Sequence, residues 1–146
     1  MDIIDLKPAV EMIKEFEGLV LTAYQDGGGI WTIGYGHTAG VHQGMVITEE
    51  QAETLLADDL NEDLLAIEHY VYAPMSNNEA CAFLSFSYNV GWPSFVNSTL
   101  LRMFNAGDPK IQVADQFLRW VHDVNDKIEP GLVRRRQAER ELFLKP

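Results

Sequence analysis

Glu17, Asp26 and Thr32 are the residues of this 146-residue chain whose types and spacing suggest chemistry. Glu17 ends a predicted helix beside apolar Phe16 and Leu19, where partial burial would raise its pKa and keep it protonated. Asp26 lies in a glycine-rich turn, where a carboxylate stays ionised. Hydrolysis of a glycosidic bond needs two carboxyl groups in opposite protonation states, one donating a proton and the other handling water or the sugar cation. Thr32 would hold the water.

The same residues also have a structural interpretation. Most Glu and Asp side chains are surface charges, and a threonine at position 32 is typical of a β-strand. On spacing alone, both interpretations stay open.

The elements that must position these residues are predicted from hydrophobic periodicity and turn signals. Pro8 suits the first turn of a helix that ends near Glu17. A glycine-rich turn between β-branched and aromatic runs then predicts a hairpin. Gly40 and Gly44 flank a possible further short strand, which would give a small sheet over about residues 19–46.

Helices are predicted for the rest of the chain. Thr48 and Gln51 form a capping box that begins a long helix ending before Pro74, and Ser76 and Glu79 form a second box. Three further helices are expected over residues 95–106, 109–121 and 130–144.

This order of elements predicts an α+β fold, predominantly α, with two unequal lobes. We expect one domain over residues 1–146: a small β lobe over 15–48, a connecting helix over 49–72 and a helical lobe over 73–146. Helix 8–17 is expected to pack on the helical lobe.

Composition excludes several classes of protein. The hydrophobic fraction of 47% and charged fraction of 23% are ordinary for a globular chain and argue against disorder, a collagen-like fibre or a disulfide scaffold. The single cysteine, Cys81, allows no intrachain disulfide, which fits a reducing cytosol. It is expected to be buried. His42, His69 and His122 show no ligand spacing, so neither a metal nor a cofactor is expected.

The charge is strongly negative and unevenly distributed. The net charge is −11, and residues 15–101 carry 12 acidic side chains with no Lys or Arg. Non-specific binding to nucleic acid or an anionic membrane is therefore not expected, because both need a basic surface. Polar residues interrupt the uncharged stretch at 80–101, which argues against membrane insertion. The N-terminal residues lack the features of a signal peptide.

Five stretches of the sequence carry a resemblance to a known family. They are residues 17–37, which include WTIGYGH, then 47–52 (ITEEQA), 84–91 (LSFSYNVG), 117–120 (FLRW) and 130–143 (PGLVRRRQAERELF). In order and over nearly the whole chain, they resemble the phage-type lysozymes, glycoside hydrolase family 24.

The resemblance implies a lysozyme-like fold with a cleft between its lobes. It implies a muramidase that hydrolyses the β-1,4 bond between N-acetylmuramic acid and N-acetylglucosamine in peptidoglycan, used as an endolysin for host cell lysis. The alternatives are a catalytically inactive peptidoglycan-binding protein on the same fold and a virion-associated lysozyme used for entry.

The resemblance also assigns roles to residues. Glu17 matches the general acid, and Asp26 with Thr32 matches the pair that positions and activates water. The family is inverting, which implies a carboxyl separation of about 6.5–9.5 Å. Further positions match cleft residues of the family that contact glycan: Thr38, Tyr88, Asn89 and Ser98.

The remaining expectations concern partners and location. The resemblance implies a monomer acting on peptidoglycan strands, held in the host cytoplasm until a holin releases it to the periplasmic wall. His37 is expected to stabilise the fold, and Arg134, Arg135 and Arg136 to form a solvated helix face with one member paired internally. Members of the family are often basic, so the acidity of this chain is a departure from it.

Overall fold

The computed structural model describes residues 3–146 and begins with the helix that ends at Glu17. Helix α1 spans Lys7–Glu17, with Pro8 in its first turn, as predicted. It buries Ala9 and Ile13 and packs against helix α3 (Asn77–Val90). The chain leaves α1 through Gly18, whose φ of 68° favours glycine.

A two-stranded antiparallel sheet follows α1. Strand β1 spans Val20–Gln25 and strand β2 spans Trp31–Gly34, joined by the predicted glycine-rich turn. Tyr24 pairs with Thr32 in the register of this hairpin.

The further strand expected between Gly40 and Gly44 is wrong. Hydrogen bonds from Val41 N–H to the Thr38 carbonyl and from Met45 N–H to the His42 carbonyl close two successive turns there. Beyond these turns, an isolated bridge pairs Val46 with Thr22 of β1.

Both predicted capping boxes are present. Helix α2 spans Glu49–Tyr70, and Thr48 caps it by accepting from Gln51 N–H. Helix α3 begins after Ser76, whose hydroxyl accepts from Glu79 N–H. Each box satisfies backbone donors that have no partner within the helix, so both helices begin where the sequence predicts.

The C-terminal part of the chain is helical but more broken than expected. The helix predicted over 95–106 is two, α4 (Trp92–Val96) and α5 (Thr99–Asn105), because Ser98 caps a new helix between them. The helix predicted over 109–121 is α6 (Lys110–Asp115) followed by a 3-10 turn, Gln116–Arg119. Helix α7 spans Pro130–Leu144.

The core of the molecule lies among these helices. Phe83 of α3 is fully buried, as is Cys81, which was predicted to be buried. Four aromatic rings have centroids 5.0–6.2 Å from that of Phe83: Phe95, Phe104, Phe117 and Phe143. Helices α3 and α7 pack together through this core, which gives the cleft residues they carry a rigid support.

The architecture is therefore the predicted one, α+β and predominantly α, with a small sheet beside a larger helical lobe. Within residues 3–146, no helix combines the length and apolar character needed to cross a membrane.

Candidate active site

Glu17 lies at the last position of α1, and its carboxylate is held by an arginine from the far end of the chain. Arg135 Nη1 donates to Glu17 Oε2 at 2.6 Å, and the Arg135 side chain is 4% exposed. Gly36 packs on the other oxygen, since a Cβ atom there would come 3.0 Å from Glu17 Oε1. Besides the apolar neighbours expected from the sequence, α7 brings a guanidinium to the carboxyl group, which the sequence did not predict.

Asp26 lies in the hairpin turn, as predicted, and the turn fixes its orientation. The Oδ1 atom accepts from Gly28 N–H and Ile30 N–H, both at 2.9 Å. The Oδ2 atom has no hydrogen-bond partner among the described residues. One carboxylate oxygen is thus anchored by the backbone, which leaves the other for an external donor.

Thr32 follows on β2 and is only 4% exposed. Its hydroxyl donates to the Ile30 carbonyl at 2.9 Å. Because that bond uses the single hydroxyl proton, Thr32 Oγ1 can act toward a further group only as an acceptor. Ile30 links the two residues, since its N–H binds Asp26 and its carbonyl binds Thr32.

The charges of Glu17 and Asp26 both affect the Tyr24 side chain. Burial raises the pKa of the Tyr24 phenol, and the negative charges of Glu17 and Asp26 raise it further. Glu17 and Asp26 are nine positions apart in sequence, but the turn after α1 and the hairpin bring both within electrostatic range of the same side chain.

Three recesses make up the cleft; Glu17 and Asp26 each line one of them, whereas Thr32 lines none of the three. A groove of about 680 Å³ is lined by Asp26 and Asn89, and a recess of about 350 Å³ by Glu17 and Asn89. Asn89 therefore lies where the recess of Asp26 meets the recess of Glu17. Thr38 and Tyr88 line a third recess, of about 230 Å³.

Ser98 is the predicted site residue that the structure places elsewhere. It is 5% exposed and caps α5, its hydroxyl accepting from Leu101 N–H and donating to the Phe95 carbonyl at 2.6 Å. It does not line any of the three recesses.

The recess beside Tyr88 carries a group of acidic side chains from α2. His37 pairs with Asp59 at 2.8 Å, so its predicted structural role has a partner. Burial, together with the charges of Asp59 and Glu62, raises the pKa of Asp63 to about 7. Tyr88 itself donates to the Tyr35 carbonyl at 2.5 Å, which fixes its ring at the cleft. Within the described part of the chain, no three His, Cys, Asp or Glu side chains are arranged to hold a metal ion.

The burial of two arginines that contact site residues was not predicted from the sequence. Arg135 and Arg136 are both buried, so the solvated face expected for the three-arginine run holds only for Arg134. Arg136 donates to Asn89 Oδ1 and to the Trp120 carbonyl. The sequence did carry one indication of these buried pairs. Glu139 stands four positions after Arg135 and three after Arg136, so all three share one face of a helix.

Comparison with known proteins agrees with this fold. The phage lysozyme family profile matches residues 14–139. An endolysin of Acyrthosiphon pisum secondary endosymbiont phage 1 is 42% identical over 135 residues, 90% of this chain and 92% of that protein. An endolysin of Bacillus phage B103 is 41% identical over 92% of this chain, which spans 52% of that longer protein.

Among solved structures, the muramidase domain of SpmX from Asticaccaulis excentricus superimposes with a TM-score of 0.89 at 36% identity, with 100% of each chain covered. The fold and its cleft therefore define a lysozyme-like protein. The chain belongs to the phage lysozyme family, as the sequence resemblance predicted.

Proposed function

We propose that this chain is an endolysin of glycoside hydrolase family 24, a muramidase that hydrolyses the β-1,4 bond between N-acetylmuramic acid and N-acetylglucosamine with inversion. The observation that carries the proposal is the cleft. Glu17 and Asp26 line adjoining recesses that share Asn89, and family membership supplies the class of substrate.

Glu17 is the proposed general acid. Its position at the end of α1 and its contact with Arg135 give the carboxyl group one orientation toward the cleft. A glycosidic oxygen that leaves as an alkoxide needs a proton, and a positioned carboxylic acid supplies it as the bond breaks.

Asp26 and Thr32 are the proposed water site. Asp26 Oδ2 and Thr32 Oγ1 both act as acceptors, because Asp26 Oδ1 and the Thr32 proton are already used within the hairpin. A water donating one hydrogen to each would direct its oxygen lone pair toward the sugar. Asp26 would take the proton as the water attacks, which is the general-base half of an inverting reaction.

The glycan is proposed to lie along the recesses that contain Thr38, Tyr88 and Asn89. We retain these three as substrate-binding residues because each lines the cleft. Ser98 is not among them, since its hydroxyl is occupied within the helical lobe.

We further propose that the chain acts as a monomer, stays in the host cytoplasm until a holin opens the membrane, and then acts on the periplasmic wall. The division into a β lobe over 15–48, a connecting helix over 49–72 and a helical lobe over 73–146 is part of the same proposal. An inactive peptidoglycan-binding protein is the alternative. The presence of Glu17 and Asp26 in the cleft, with Thr32 linked to Asp26 through Ile30, argues against it.

The test is replacement of the proposed acid. Glu17→Gln keeps the size of the side chain and cannot donate the carboxylic proton, so activity on cell-wall gels should fall by at least about 100-fold. Glu11→Gln on the exposed face of the same helix is the matched control and should retain full activity. A Glu17→Gln protein with near wild-type activity would refute the assignment.

A further inference from the structure

Glu139 is a carboxylate buried completely inside the helical lobe. It is 0% exposed and accepts from three donors on α3 and α7. Ser85 Oγ donates to Oε2 at 2.6 Å, Arg135 Nε donates to the same oxygen at 3.3 Å, and Arg136 Nη1 donates to Oε1. Burying a charge is unfavourable unless such partners surround it. The three donors therefore stabilise the buried carboxylate and fix its position.

The two arginines connect Glu139 to the cleft. Arg135 reaches Glu17 with Nη1, at 2.6 Å, and Arg136 reaches Asn89 with Nη2. Each guanidinium is also fixed by a backbone carbonyl, that of Ser85 for Arg135 and that of Trp120 for Arg136. Each arginine thus bonds to a backbone oxygen, to Glu139 and to a cleft side chain.

The charge of Glu139 is needed for the two arginines to lie side by side. Burial lowers the pKa of Arg136, the positive charge of Arg135 lowers it too, and Glu139 opposes both effects. Without this carboxylate, Arg136 would lose its ion-pair partner while Arg135 would keep Glu17, and breaking a buried pair leaves an uncompensated charge. The guanidiniums would then shift away from each other, and their contacts in the cleft would change.

We propose that Glu139 is a positioning residue for the reaction: it holds Arg135 against Glu17 and Arg136 against Asn89 from inside the helical lobe. The inference rests on the proposed role of Glu17. Its consequence is that the orientation of the acid is set by a side chain that the substrate never touches.

The test is Glu139→Gln, which keeps the size of the side chain and removes its charge. The matched control is Glu79→Gln. Glu79 is also buried, on α3, where it caps the helix and pairs with Lys110 at 2.7 Å, away from the cleft recesses. Both variants are assayed on a soluble glycan oligomer, with the folded fraction measured by circular dichroism and used to normalise the rates.

We expect the normalised kcat of Glu139→Gln to fall on the order of 10- to 100-fold, the loss typical when a supporting contact of a reactive group is removed, and to fall more than KM rises. Glu79→Gln should leave both kcat and KM unchanged.

A second variant keeps the proposal testable if Glu139→Gln does not fold. Ser85→Ala removes one hydrogen bond to Glu139 and should lower kcat severalfold. Cys81→Ala is its control, since Cys81 is buried on the same helix, donates to the Asp5 carbonyl at 3.2 Å and lines none of the three recesses. An unchanged kcat in the folded Glu139 variant, or in Ser85→Ala if that variant alone folds, would overturn the positioning role. Activity in Glu17→Gln would instead overturn the proposed function.

Discussion

Replacing Asp63 with asparagine should stabilise the protein at alkaline pH and not at acidic pH. Asp63 lies on α2 in the recess beside Tyr88, where burial and the charges of Asp59 and Glu62 raise its pKa to about 7 from an ordinary 3.8. The unfolded chain therefore releases this proton near pH 4, whereas the folded chain holds it until about pH 7. The free energy of unfolding attributable to Asp63 falls as pH rises between these values, because the unfolded state binds fewer protons there.

The magnitude follows from the two pKa values. Each pH unit between them costs up to about 1.4 kcal/mol, and partial exposure of Asp63 reduces the total through solvent screening. We expect Asp63→Asn to raise the free energy of unfolding by about 2 to 4 kcal/mol at pH 8, and to change it little at pH 4 to 5. At the lower pH the native carboxyl is protonated and as neutral as the amide.

Urea unfolding at both pH values measures this difference directly. Asp58→Asn is the matched control, because Asp58 lies on the same helix and is exposed to solvent. An equal effect of Asp63→Asn at pH 5 and pH 8, or an equal pH dependence in the Asp58 variant, would show that burial of Asp63 is not the cause.

Three further outcomes are expected. Ser98→Ala should cost about 1 kcal/mol of stability through loss of the α5 cap and leave KM for glycan unchanged; a raised KM would return Ser98 to the binding residues. Phe83→Ala should cost about 3 to 5 kcal/mol in urea unfolding, because it empties the centre of the aromatic core; a loss below 1 kcal/mol would contradict that packing. Lysis of permeabilised cells should speed up from about 0.01 M to 0.1 M salt, since screening shortens the repulsion between an acidic enzyme and an anionic wall. Arg135 and Arg136 are buried and do not offer a basic patch to the wall; rates that fall with salt on walls, but not on an uncharged oligomer, would refute the repulsion.

The fold was predictable where local chemistry decides it. The capping boxes at Thr48 and Ser76 can be recognised from residue types and spacing alone, and both helices begin there. The break at Ser98 was missed, although Asn97, Ser98 and Thr99 interrupt the apolar run there and serine is a favoured N-cap residue. The strand predicted between Gly40 and Gly44 is wrong, because hydrogen bonds close turns there.

The site was predictable only in part. The resemblance supplied Glu17, Asp26 and Thr32, and the hairpin explains how Asp26 is oriented. The partner of Glu17 is Arg135, 118 positions away. A pairing at that separation depends on how α1 and α7 each pack on α3, which no local pattern encodes, and the burial of Arg136 depends on the packing of α7 on α3.

The most direct test of the central claim is the identity of the sugar exposed when the enzyme cuts purified peptidoglycan. New reducing ends are labelled by borohydride reduction and identified by mass spectrometry, with Glu17→Gln run in parallel. The account predicts that reduced N-acetylmuramic acid accumulates with the wild-type protein and not with Glu17→Gln. Reduced N-acetylglucosamine would contradict the muramidase assignment, and the absence of new reducing ends would favour an inactive glycan-binding protein.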